Sequence, residues 1–189
     1  LRAAGYQATG LELSPWLVEF AQETFDIQML QGPLESQNIP KGSLDVIAHM
    51  DVLEHLPDPV GTMRIALDLL KPDGIMLLQT PRFDPDKSYK DLVDGNHAFL
   101  THFKELEHLH LFSLQSLEKF FHGLDCPHVQ FEPAIFSKYD MFAVVSRQPL
   151  RVIPDEERVA ALQALPSGRL MLALLDLYTR AEDLQYHAD

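Results

Sequence analysis

Cysteine is almost missing: the 189 residues hold one, Cys126, so no internal disulfide can form. A lone cysteine fits a reducing compartment, and stability then has to come from an apolar core. Long apolar runs are missing too. None nears the roughly 20 residues that cross a bilayer, and Leu1-Arg2-Ala3-Ala4-Gly5 lacks the apolar stretch of a secretory leader. Basic residues are scarce, with 15 Lys and Arg against 28 Asp and Glu and a net charge of −13. That balance repels nucleic acid and anionic membranes, and no local basic patch offsets it. A cytoplasmic protein with neither kind of partner is expected. There is no internal repeat and no low-complexity tract. There is also no initiator methionine, so the chain is expected to start within a longer protein.

What is present reads as globular: 46% apolar and 23% charged residues, at a length of one domain with a small appendage. Short apolar runs alternate with helical patterns. Thr9 to Leu13 reads as a strand. Ser14-Pro15 then opens a helix to about Thr24, with an N-cap serine and a proline in the first turn. Trp16 and Phe20 on it read as core. Ile27 to Leu30 and Leu44 to His49 read as further strands, with a loop from Gly32 to Gly42 between them. Asp58-Pro59 starts a second helix that Lys71-Pro72-Asp73-Gly74 stops, and Ile75 to Gln79 is the next strand. Residues 82–98 read as a long polar loop. Ser113 caps a helix to about His122, and Val129 to Ala134 and Met141 to Ser146 form an antiparallel pair. Two helices, 154–165 and 168–186, close the chain, the last with a broad leucine face. Crossovers of this length imply a parallel sheet covered by helices. The division expected is residues 1–149 as the main domain and 150–189 as a helical extension.

Three blocks carry a family resemblance. Thr9-Gly10-Leu11-Glu12-Leu13-Ser14, then Leu44-Asp45-Val46-Ile47 with Asp51-Val52-Leu53-Glu54-His55-Leu56-Pro57-Asp58-Pro59, then Leu70-Lys71-Pro72-Asp73-Gly74 follow in order. Together they resemble class I S-adenosylmethionine-dependent methyltransferases over about residues 1–147. The resemblance implies a Rossmann-like α/β fold whose seven-stranded sheet is mostly parallel and ends in an antiparallel hairpin. It also implies S-adenosylmethionine as cofactor and S-adenosylhomocysteine as product. The family's glycine-rich cofactor loop and its first strand would precede Leu1, so both are expected to be absent from this chain.

Site residues follow from the same resemblance. An acidic residue ending the second strand accepts both ribose hydroxyls, and Glu12 stands there. Leu34 and Glu35 occupy the loop that holds the adenine, with Pro33 where an acid is usual, and His49 joins them in the cofactor set. Asp51, Glu54 and His55 sit past a strand's carboxyl end and are the catalytic candidates. Their Asp-x-x-Glu-His spacing resembles the Glu-x-x-Glu-His of ubiquinone-pathway O-methyltransferases and small-RNA 2′-O-methyltransferases, where it looks like a divalent-metal site. No metal ligand is assigned here, and a divalent cation stays as the less favoured alternative. Among the clustered histidines, His108 and His110 are assigned to substrate binding. The function expected is methyl transfer to O or N of a small-molecule or sugar acceptor. The alternatives are a non-catalytic scaffold or dimerisation partner and, more weakly, a nicotinamide-dependent oxidoreductase. A homodimer through the C-terminal helices, or a second chain supplying the missing strand, are the expected self-associations.

Overall fold

A computed structural model describes residues 2, 5–104, 106–134 and 139–186. The chain separates into two compact units, Leu1–Gly32 with Arg151–Asp189, and Pro33–Leu150.

In the first unit, β1 (Gly10–Glu12) pairs parallel with β2 (Met29–Gln31), and α1 (Pro15–Phe25) crosses between them. Ser14 caps α1 by accepting from the Leu17 N–H, and Asp26 closes it with a φ of 50°. Only Val18 of α1 is buried. Trp16 and Phe20 stack on each other at 5.5 Å, and both are exposed. The expectation that they are core fails because two strands of three residues cover a single row of the helix. The unit also holds α5 (Asp155–Gln163) and α6 (Pro166–Tyr186). Gly168 lets these helices turn tightly, since a Cβ there would lie 2.1 Å from the Leu162 carbonyl oxygen. Leu170, Leu174 and Leu177 form an exposed stripe on α6.

The second unit is a four-stranded sheet with helices on it. Its elements are β3 (Leu44–Met50), α2 (Pro59–Leu69), β4 (Leu70–Pro81), α3 (Tyr89–Asp94), α4 (Leu114–His122), β5 (His128–Glu132) and β6 (Asp140–Ser146). The strand order is β3-β4-β6-β5, with β3 and β4 parallel and β6 antiparallel to both its neighbours. The expected C-terminal hairpin is therefore present, and six strands are described in all. Among the described residues, β1 pairs only with β2 and β3 only with β4. The core gathers Leu53, Met63, Ala66, Met76, Leu78, Leu117, Phe121 and Val145. Among the described residues, no helix is long and apolar enough to cross a membrane.

Two elements differ from the sequence reading. The chain passes from α2 straight into β4 at Leu70, so Lys71-Pro72-Asp73-Gly74 is the irregular start of a strand, with a register shift opposite Leu44/Val46. The stretch read as a polar loop contains α3, whose Ser88 and Asp91 make a reciprocal capping box. All the strand ends that matter below lie on one side of the sheet: Met50 and Pro81 end parallel strands, and Asp140 opens β6 opposite Pro81.

Gly74 tests this account. A Cβ there would meet the Leu44 and Asp45 carbonyl oxygens at 3.0 and 3.1 Å. Gly74→Ala should therefore cost about 1–3 kcal/mol by overpacking, read as a lower urea midpoint at unchanged m-value.

Candidate active site at the carboxyl end of β3

Where β3 ends, the chain turns abruptly. Asp51 takes a φ of 54°, a left-handed conformation that few residues other than glycine adopt readily and that recurs at functional sites. Its N–H donates to the Gln79 carbonyl at 3.0 Å, holding the turn to β4. One short turn follows, Leu53–His55. It splits by face: Leu53 and Glu54 go inward, and His55 goes out to solvent.

Glu54 is a carboxylate buried to 1% exposure. The Thr80 hydroxyl donates to its Oε2 at 2.8 Å. Its backbone oxygen accepts the N–H groups of Leu109 and His110 at 2.8 and 3.2 Å. One residue thus joins the β3 turn, the end of β4 and the strand-like strip at 109–112. His55 lies beside it, with Nε2 at 3.8 Å from Glu54 Oε1.

The histidine tautomers follow from their partners. His55 Nδ1 lies 2.7 Å from the Glu107 carbonyl oxygen, and His108 Nδ1 lies 2.8 Å from that of His102. A carbonyl only accepts, so each ring nitrogen there carries the proton. In the neutral imidazoles, Nε2 is then a bare lone pair. The two rings stand edge to face at 4.8 Å. One ligand-type atom from each of Glu54, His55 and His108 lies within 4.8 Å of the others. That donor set, a carboxylate oxygen with two imidazole nitrogens, suits a borderline divalent cation, and the N–H groups on backbone carbonyls are the usual outer support of such ligands. Asp51 is not in this group. Its charge reaches His102, whose pKa is lowered by burial first and then by His108 and Lys104, with Asp51 opposing. The His102 ring stacks on His108 at 5.9 Å. His110 turns elsewhere and donates from Nε2 to the Leu56 carbonyl at 3.1 Å, which pins the strip.

The cofactor candidates are spread over both units. Glu12, in the first, accepts the Ser14 N–H on Oε1 at 2.8 Å, which orients the carboxylate at the end of β1. In the second, Leu34 packs against the core from a short turn, and Glu35 accepts the hydroxyl of Thr62 on α2. His49 is buried, and among the described residues its Nε2 is the one buried side-chain polar atom with no partner. Burial pushes its pKa down to about 4, so it is neutral at physiological pH.

A family model described as a methyltransferase domain matches residues 1–130. The chain belongs to that family, the class I S-adenosylmethionine-dependent methyltransferases. The ubiquinone biosynthesis O-methyltransferase of Xanthomonas campestris pv. campestris (strain B100) is 34% identical over 85 residues, covering 40% of this chain and 34% of that protein. The chain spans about a third of the length of the curated relatives it matches. Two solved structures share the fold. The CMeT domain of the citrinin polyketide synthase has a TM-score of 0.57 at 18% identity, covering 75% of this chain and 39% of that one. An S-adenosylmethionine-dependent methyltransferase from Thermotoga maritima has 0.55 at 15%, covering 74% and 72%.

Within this methyltransferase domain, Thr80 and His102 are site neighbours that reading the sequence missed. Thr80 was within reach of it: Met76, Leu78 and Thr80 share one fully buried face of β4, and a buried hydroxyl at a strand's carboxyl end needs an acceptor.

The buried His49 makes a pH prediction. Its folded pKa of about 4 lies below the ordinary 6.5, so the unfolded chain binds the extra proton first. Stability should fall as pH drops from 6.5 towards 4, by about 3 kcal/mol in total, with His102 adding in the same direction. In His49→Leu, urea midpoints at pH 7 and 4.5 should differ much less than in the parent.

Proposed function

We propose that this domain transfers the methyl group of S-adenosylmethionine to an oxygen, or less readily a nitrogen, of a small-molecule or sugar acceptor. The observation that carries the reading is the orientation of His55, whose Nδ1 is engaged by the Glu107 carbonyl and whose Nε2 is set beside the buried Glu54 carboxylate. The name of the ubiquinone-pathway relatives supports an acceptor hydroxyl. Bound S-adenosylmethionine supplies an electrophilic methyl group on a sulfonium. His55 Nε2 takes the acceptor's proton as the oxygen–methyl bond forms and the carbon–sulfur bond breaks, and Glu54 stabilises the imidazolium that results. Asp51, in its strained turn, faces the same acceptor, and His108 and His110 shape its surroundings. Glu12 fits the cofactor ribose, because Oε1 is already held by the Ser14 N–H and Oε2 is left to accept hydroxyls. Leu34 flanks the adenine with Glu35 behind it. His49 offers the cofactor a neutral hydrogen-bonding nitrogen, which suits a buried group without a partner.

The pair of imidazoles, His55 and His108, gathered beside a buried carboxylate favours this reading over a non-catalytic scaffold. The buried, unpaired Cys126, its thiol pushed up to about 11 by burial, supports a reducing, cytoplasmic setting. The exposed leucine stripe of α6 and the singly paired edges of β1 and β3 support self-association as the partner arrangement.

Titration calorimetry with S-adenosylhomocysteine tests the reading. Saturable binding is expected, weakened roughly tenfold or more in Glu12→Ala by loss of a charge-assisted contact. His55→Ala should lower kcat by roughly 10²–10⁴ with S-adenosylhomocysteine affinity retained. Absence of any binding heat would overturn the proposal for this chain.

The convergence of Glu54, His55 and His108 supports a second reading, in which these three hold a divalent cation that lowers the pKa of an acceptor hydroxyl. Added manganese, magnesium or zinc should then raise the melting temperature of the parent and not of His108→Ala. No shift with any of the three metals would leave His55 as a base without metal.

A further inference from the structure

At its carboxyl end β4 is fully enclosed: Leu78, Gln79 and Thr80 have no exposed surface. Pairing fixes where each side chain goes. Thr80 lies opposite Met141 of β6, on the face that Met76 and Leu78 share with the core. A hydroxyl among those apolar side chains has no water to donate to, so it has to find an acceptor within the protein. Its Oγ1 donates to Glu54 Oε2 at 2.8 Å.

The two partners are unequal in rigidity. Thr80 is β-branched and stiff about χ1, and its strand is paired on both sides, to β3 and to β6. Glu54 has a long side chain on a single short turn, Leu53–His55, just past the left-handed Asp51. The backbone before that turn is docked on the same strand, where the Asp51 N–H donates to the Gln79 carbonyl at 3.0 Å. Thr80 adds the side-chain half of the docking, so the stiff partner sets the orientation of the long one. A carboxylate has two oxygens, and Thr80 takes one. Oε1 is left on the His55 side, 3.8 Å from Nε2. That is longer than a hydrogen bond and short enough for the carboxylate to stabilise an imidazolium that forms there. A carboxylate already in place needs no reorientation when charge develops.

We infer that Thr80 is a positioning residue: by holding Oε2 of Glu54 it keeps Oε1 aimed at His55. The inference rests on the methyl-transfer reading for the reaction served, and on geometry alone for the placement of Glu54. In that reaction the acceptor's proton goes to His55 Nε2, the oxygen–methyl bond forms, and the electron pair of the carbon–sulfur bond goes to sulfur. Thr80 keeps its own proton throughout and touches no reacting atom.

The test uses the full chain and two replacements that divide the threonine. Thr80→Val keeps the volume and removes the donor; Thr80→Ser keeps the donor and removes the methyl group. The first readout is the His55 Nε2 resonance in long-range proton–nitrogen NMR spectra at one fixed pH, assigned by its loss in His55→Gln. The second is methyl transfer from S-adenosylmethionine with catechol as the probe hydroxyl. Thr80→Val should shift the His55 resonance. It should also lower kcat roughly ten- to hundredfold, the effect of losing a hydrogen bond to a charged group, with KM for S-adenosylmethionine unchanged. Thr80→Ser should bring both back to the parent values. A packing role predicts the opposite order, with Thr80→Ser impaired and Thr80→Val like the parent, because it follows the methyl group. That order overturns the inference, as does an unmoved His55 resonance in Thr80→Val or a Thr80→Ser as impaired as Thr80→Val. Should Thr80→Val fail to fold, Thr80→Cys takes its place, its weak S–H donor giving a smaller shift in the same sense. S-adenosylhomocysteine titrated into the parent keeps the two readings apart. A parent that neither binds it nor methylates catechol sinks the methyl-transfer reading, and the His55 resonance then decides the placement by itself. Binding of it with the resonance unmoved in Thr80→Val sinks the role of Thr80 alone.

Discussion

The buried carboxylate of Glu54 is the contact on which the rest of the site depends. An ionised carboxylate taken out of water is costly unless its lone pairs are met. Thr80 meets one oxygen, and His55 Nε2 lies 3.8 Å from the other, with His108 close by. The same residue's backbone oxygen receives two N–H groups from the strip at Leu109 and His110. Side chain and backbone of one residue therefore fasten the β3 turn to β4 on one side and to the histidine-bearing strip on the other. Together with the His55–Glu107 and His110–Leu56 hydrogen bonds, that junction holds His108 near His55 across 53 residues of chain.

Chemistry at the site is set by backbone carbonyls as much as by side chains. The carbonyl oxygens of Glu107 and His102 decide which nitrogen of His55 and His108 carries the proton in the neutral rings. That leaves Nε2 of each neutral ring free to accept, and that of His55 lies 3.8 Å from the Glu54 carboxylate, an arrangement that suits a positive centre between them. An acceptor's proton in transit or a divalent cation each meets that need. His49 is the contrasting case. Its buried Nε2 has no partner among the described residues, and burial holds the ring neutral.

Much of the second unit was readable in the sequence because its signals are local. Asp58-Pro59 and Ser113 start helices where a capping side chain and a preset φ say they should, and β3 and β6 follow their apolar runs to within a residue or two. The misreadings arose where neighbours overrule the local pattern. Lys71-Pro72-Asp73-Gly74 has turn residues, but pairing with β3 drew it into a strand. Trp16 and Phe20 have core chemistry, but the narrow sheet of their unit leaves them exposed. The capping box of α3 was present as Ser88 and Asp91, and its short length hid it.

By itself, the sequence determined the fold class, the family and the identity of the chemically capable residues, since all three are written in order along the chain: strand and helix periodicities, then Glu12, then Asp51-x-x-Glu54-His55, then the histidine-rich strip. Only the tertiary structure decided which of those residues lie together. The proton position on His55, the partnership of Glu54 with Thr80 and the diversion of His110 to a backbone carbonyl all depend on contacts between segments dozens of residues apart. The physical reason is that hydrogen bonds and desolvation act over a few ångströms of space and carry no memory of chain distance.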